Sequence, residues 1–232
     1  MVSATVTALF PPHQVVAEAV DRWLRTQSDA ERNTPPEPWF EFAGGWRGLD
    51  VRYRTCLEHD QIFCDSISRN SHADQVVQEQ QLFGFFTTGL AAVESLFYAL
   101  YAFGWMVNRS AFPLIVGKRE EVNPERTRDA FRKQYGIAEP LVIAFESVLK
   151  DPDWKNWKTI RNVLAHRAVP PRILHLSAGG RSSQKSTYQE SRLNELGPLD
   201  DQTTRTRLFW LEKTLVTLLN AAESFALRQV PL

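Results

Sequence analysis

The stretch Asp153 to Arg172, DWKNWKTIRNVLAHRAVPPR, decides how the chain is read. On a helix of 3.6 residues per turn, Trp154, Trp157, Ile160, Leu164 and Ala165 span an apolar arc of about 140°. Arg161 falls inside that arc. A guanidinium there needs a partner, because burying an unpaired charge is costly, so it must meet a carboxylate, a carbonyl, another subunit or a bound anion. Asn162 and His166 are four residues apart and share a neighbouring face, where the amide can orient the imidazole or bond the same ligand. Asp153 reads as the N-cap of this helix, and Pro170-Pro171 cannot continue it.

The rest of the chain reads as support for that helix. Its 232 residues, 43% of them hydrophobic, can bury a substantial core. The simplest organisation is an N-terminal extension over 1–48, a helix plus a Pro/Gly-rich linker, followed by one helical domain over 49–232. Lys plus Arg equals Asp plus Glu at 27 each, so any affinity for a polyanion must be local. Residues 154–189 contain no Asp or Glu but hold Lys155, Lys158, Arg161, Arg167, Arg172, Arg181 and Lys185. That run suits a polyanion, and a solvated basic face balanced by acids elsewhere gives the same composition.

Pro11-Pro12 introduce a helix through Val15, Val16, Ala19, Val20, Trp23 and Leu24, after a strand-like or flexible start over 1–10. The run 33–38 reads as a linker, and Trp39-Phe40-Glu41-Phe42 ahead of Gly44-Gly45 as a short extended segment tied down by its aromatics. A helix from Leu49 to Ser68 is expected to turn Val51, Leu57, Ile62 and Phe63 inward. Cys56 and Cys64 lie on it about 12 Å apart along the axis, too far for a disulfide, which points to a reducing, cytoplasmic setting. Cys56, His59 and Cys64 on one rigid helix cannot close a tetrahedral metal site, so no metal is expected. The first dozen residues lack the pattern of a secretion signal.

Asp74 to Val107 has no proline and reads as the long central helix, with Leu82, Phe85, Phe86, Leu90, Val93, Leu96, Phe97, Leu100 and Phe103 inward. Its apolar part is long enough to span a bilayer, but Glu94 at its centre favours the core of a bundle over a membrane span. Glu94 and Arg161 are then two charges in apolar settings, and a structural ion pair between them is the economical arrangement. Pro124 to Gln134 reads as a polar, solvent-facing helix, Leu141 to Lys150 as a short apolar one, and Ser177 to Gln202 as a loop without periodicity. Thr203 to Gln229 closes the chain, with Leu208, Leu211, Leu215, Leu218, Leu219, Ala222 and Phe225 inward. The fold class is all-α, a helical bundle.

No nucleophile elbow, Gly-rich phosphate loop or metal-binding helix occurs in the chain. Cleavage of RNA is a reaction that needs none of them: a base takes the proton of a ribose 2′-hydroxyl, which attacks its own phosphate. Imidazole is suited to move that proton and guanidinium to hold the charge on the phosphate oxygens.

The six residues Arg161-Asn162-Val163-Leu164-Ala165-His166 resemble the R-x4-6-H signature of the HEPN superfamily, where a polar residue commonly follows the arginine. The likeness covers 154–172 as motif and roughly 50–230 as architecture. It implies an all-α bundle with the motif on a late helix, and a homodimer whose two motifs face each other across a cleft. It also implies a metal-independent endoribonuclease without cofactor, of the toxin or antiviral-defence kind, with an antitoxin or other protein as a further partner. It carries the catalytic roles over to Arg161, Asn162 and His166, while Lys158, Arg167, Arg172, Arg181 and Lys185 are expected as RNA contacts from the acid-free basic run itself. Other members of the superfamily do not cut; that alternative is a helical module that binds RNA, a nucleotide or a protein.

Overall fold

Patterned apolar helices separated by proline and glycine do fold as an all-α architecture here. The computed structural model describes residues 14–26, 37–69, 71–114, 119–166, 170–175, 185–189 and 196–230. Among them are seven α-helices: α1 (Gln14–Arg25), α2 (Glu37–Ser66), α3 (His72–Val107), α4 (Pro124–Tyr135), α5 (Pro140–Lys150), α6 (Pro152–His166) and α7 (Asp201–Gln229). Two short antiparallel strands, β1 (Arg172–His175) and β2 (Lys185–Tyr188), lie between α6 and α7. The expected strand-like start over 1–10 and the residues 33–36 lie outside the described residues.

Three expectations need correcting. The aromatic run Trp39 to Phe42 is helical, not extended, because α2 starts at Glu37 and runs unbroken for 30 residues. Pro38 sits in its first turn, where a proline has no hydrogen bond to lose. Gly45 is tolerated because a side chain there would meet the backbone of Ala99 at 3.0 Å. The expected loop Ser177 to Gln202 contains the strand β2, which pairs with β1 just ahead of that loop, in register from Arg172 opposite Tyr188 to His175 opposite Lys185. Four-residue strands offer too little alternation to be seen in sequence. On α2 the buried stripe is Leu49, Tyr53, Cys56, Asp60 and Phe63, while Val51 and Ile62 are 51% and 45% exposed. The alternating steps of four and three residues are the helical period, and Val51 and Ile62 fall off it.

Two compact units are resolved by the packing: residues 1–50 with 92–151 and 212–232, and residues 51–91 with 152–211. Their borders fall inside α2, α3 and α7, so the boundary expected at 48/49 lies within a continuous helix. The first unit is built on aromatic rings. Phe97 meets Phe145 at 4.7 Å, Phe131 meets Phe112 at 4.6 Å and Phe225 at 5.3 Å, and Phe103 also meets Phe225. The expected polar helix α4 therefore has a buried side through Phe131 and Thr127. Glu41 accepts from the Tyr98 hydroxyl at 2.5 Å and pairs with Arg119 at 2.6 Å. By length and composition α3 could cross a membrane, and 72% of its apolar window is buried inside the protein.

The second unit packs α6 against the first part of α3. Trp157 lies on Phe85 with ring centres 5.2 Å apart and against Phe86 at 5.4 Å, and Trp210 of α7 meets it at 5.7 Å. The Trp157 indole Nε1–H donates to the Phe86 carbonyl at 2.8 Å. A side chain on Gly89 would approach Trp157 Cζ2 to 2.4 Å and Cys56 Sγ to 3.0 Å, so this glycine makes the seat for the indole.

Candidate functional site

Helix α6 begins at Pro152, two residues before the start that Asp153 as cap implies, so Asp153 sits in the first turn rather than at the cap. A carboxylate there still complements the helix dipole. Trp154, Trp157, Ile160 and Val163 are the buried residues of α6. Leu164 is half-buried and Ala165 exposed, so the buried face is turned toward Val163 relative to the expected arc.

Arg161 is half-buried, and its Nε is enclosed with no hydrogen-bond partner. Asn162 and His166 are exposed, with His166 the last residue of the helix. Five residues on a helix separate Arg161 and His166 by about 140°. The three motif residues thus share the C-terminal half of one rigid helix, with Asn162 and His166 open to solvent and Arg161 at the margin of the packed face.

The basic residues around the motif divide into groups. Lys158 is half-buried, its Nζ 5.5 Å from the Trp154 ring centre. Arg172 departs from a free phosphate contact: its Nε–H donates to Ser186 Oγ at 2.9 Å and its Nη2 to the Arg69 carbonyl at 2.7 Å. These bonds fasten β1 to β2 and to the end of α2. Arg167, Arg181 and the side chain of Lys185 lie outside the described residues. Glu94 is half-buried and belongs to the first unit, whereas Arg161 belongs to the second.

The hairpin has its own anchor. Tyr188 is buried, and its hydroxyl donates to Gln78 Oε1 at 2.8 Å, while Gln78 Nε2 donates to the carbonyls of Ser66 and Arg69 at 2.6 and 3.1 Å. Burial pushes the Tyr188 phenol up to about 12, with Arg172 pulling it down and Glu79 adding to the rise. It remains a neutral donor at physiological pH. Beside this anchor lies a cavity of about 250 Å³, walled by α3 on one side and by Leu164 and Pro170 on the other.

Sequence reasoning missed Arg207. The residue is 8% exposed; its guanidinium lies 5.9 Å from the Phe86 ring centre and comes within 3.9 Å of Asp153, while Nε and Nη1 have no hydrogen-bond partner. Burial lowers its affinity for the proton, against the pull of Asp153. The signal was present: Arg207, Leu211, Thr214 and Leu218 repeat at helical spacing, the test that singled out Arg161.

The cysteines and His59 each bond elsewhere. Cys56 Sγ contacts the Phe85 carbonyl at 3.4 Å, His59 Nδ1 shares a hydrogen with Gln81 at 2.6 Å, and Cys64 leans on Asp60 at 3.7 Å. Burial pushes both thiols up, Cys56 far up, so neither is a ready thiolate. Burial also raises the Asp60 carboxyl, opposed by hydrogen bonds from Thr204 and Cys64 and by Arg205. Comparison with family models, curated proteins and solved structures finds no match to this chain.

Proposed function

We propose that this chain is a HEPN-like endoribonuclease that cuts RNA through Arg161, Asn162 and His166. One observation carries the reading: a guanidinium at the edge of a packed helical face holds an enclosed Nε without a partner, next to an exposed amide and imidazole on the same helix. Such a group is costly to keep, and an acceptor oxygen from a ligand would satisfy it. In the reaction an imidazole takes the 2′-hydroxyl proton, the freed oxygen attacks the adjacent phosphorus, and the 5′-oxygen leaves with a proton from a second acid. The products are a 2′,3′-cyclic phosphate and a 5′-hydroxyl. Arg161 stabilises the charge on the non-bridging oxygens, and Asn162 positions imidazole or phosphate. Because Arg161 and His166 diverge by about 140° on their helix, the second acid and the facing pair come from a two-fold mate.

The test is single-stranded RNA incubated with the purified chain in excess chelator. The expected result is cyclic-phosphate ends that disappear in His166→Ala while RNA binding and helix content persist. The same angular divergence favours a second reading, a module that binds RNA without cutting. Binding with no cleavage by the unaltered chain would establish that reading and overturn the first.

A further inference from the structure

We propose that the cavity between α3 and the end of α6 is a base pocket selective for guanine in single-stranded RNA. This rests on the reading of the chain as RNA-binding. The volume, about 250 Å³, falls below the range of about 300 to 1,000 Å³ that drug-sized ligands occupy, and suits one fused ring system. Its lining is largely flat or apolar: Phe83, 43% exposed, from α3, Leu164 and Pro170 from the end of α6 and beyond, and the buried Tyr188. A base offers π-faces to such walls whatever its sequence.

Selectivity comes from the polar groups in the slot. Glu79 and Gln80 line it with Phe83, and Glu79 and Phe83 are one helical turn apart on α3. The Glu79 carboxylate is steadied by Gln75 Nε2, which donates to its Oε1 at 2.9 Å, and a carboxylate has about four acceptor sites, so capacity remains. Among the described residues no lysine or arginine forms an ion pair with Glu79. A carboxylate only accepts. Guanine alone among the four bases presents two adjacent N–H donors on its pairing edge, at N1 and N2, which one carboxylate can take together. Adenine and cytosine set one amino donor beside a ring acceptor, and uracil sets one donor between two acceptors, so each brings a lone pair against Glu79. Gln80 supplies an amide donor for the guanine O6. The Tyr188 hydroxyl is already committed to Gln78 and offers its ring only.

The second wall places this slot beside the motif. Leu164 lies between Arg161 and His166 on α6, one turn beyond Arg161, and Pro170 follows His166 by four residues. A negative carboxylate repels a phosphate, so the base enters and the backbone stays outside with the cationic residues.

The experiment measures binding of guanosine, adenosine, cytidine and uridine 5′-monophosphates to the full chain by calorimetry. Guanosine monophosphate is expected to bind about tenfold or more tighter than the other three. Glu79→Gln should abolish that preference with an unchanged thermal melt, and Phe83→Ala should weaken every nucleotide. Equal affinity for all four, no binding, or a preference that survives Glu79→Gln overturns the pocket. RNA cleavage indifferent to base and to Glu79→Gln would remove the pocket and leave the nuclease standing; guanine preference in a chain that cuts nothing would do the reverse.

Discussion

Arg161 sets stability against function. A side chain present for packing is expected to be satisfied, and loss of a satisfied buried charge costs about 3–5 kcal/mol. Arg161 instead keeps an enclosed Nε without a partner, a defect that costs about 1–3 kcal/mol in its own right. Methionine has comparable reach and no polar atoms. Arg161→Met should therefore leave the chain as stable or more stable, by up to about 1–3 kcal/mol, while the proposed RNA cleavage disappears. Urea unfolding of the two proteins reads the difference. A loss of about 3–5 kcal/mol would instead indicate the ion pair with Glu94 expected from the sequence, and Glu94→Gln would then show the same loss.

At the scale of elements, the position of α6 depends on one glycine. Alanine is worth about 1 kcal/mol more than glycine inside a helix, so propensity alone favours Gly89→Ala. The new Cβ would stand 2.4 Å from Trp157, whose indole is fixed by its hydrogen bond to the Phe86 carbonyl and by two phenylalanine rings. Overpacking of this kind costs about 1–3 kcal/mol, so the clash outweighs the propensity. Gly89→Ala should melt at a lower temperature than the parent and, on the proposed function, should cut RNA more slowly, because the motif helix is displaced. An unchanged or higher melting temperature would mean that Trp157 is not the contact that seats α6.

The same contrast explains what was legible in sequence. The nine inward residues expected on α3 are all buried, because a long apolar helix repeats its signal over many turns. On α7, six of the seven expected residues are buried and Leu208 is half-buried. Val51 and Ile62 misled because hydrophobicity was read without period. Trp39 to Phe42 misled because proline and paired glycines carry local meaning that the Ala99 contact overrides. The hairpin was hidden because its stability rests on Tyr188, Gln78 and Arg172, partners far apart in sequence. Arg161, Asn162 and His166 were legible as a motif; the enclosure of Arg207 depends on Phe86 and Asp153, which only the fold brings to it.

For the whole molecule, charge is balanced at 27 against 27, so on the proposed reading attraction to RNA would come from the acid-free run 154–189 and not from a general positive field. For single strands each phosphate contact contributes about −0.7 to the slope of log affinity against log salt. Two cations of that run, Lys158 and Arg172, make opposite forecasts. Lys158 is half-buried, with its ammonium 5.5 Å from the Trp154 ring centre on the motif helix. Arg172 has its guanidinium committed to Ser186 and to the Arg69 carbonyl. Lys158→Ala should reduce the magnitude of the salt slope by about 0.7, the signature of one lost phosphate. Arg172→Ala should leave the slope unchanged and destabilise the chain by about 1.5–3 kcal/mol, the range for hydrogen bonds to a charged group. Anisotropy titrations of a labelled single-stranded RNA between about 50 and 200 mM salt, with unfolding curves on the same variants, separate the two. An unaltered slope for Lys158→Ala would take that residue off the RNA path. A shallower slope for Arg172→Ala would mean that its structural bonds open to admit a phosphate.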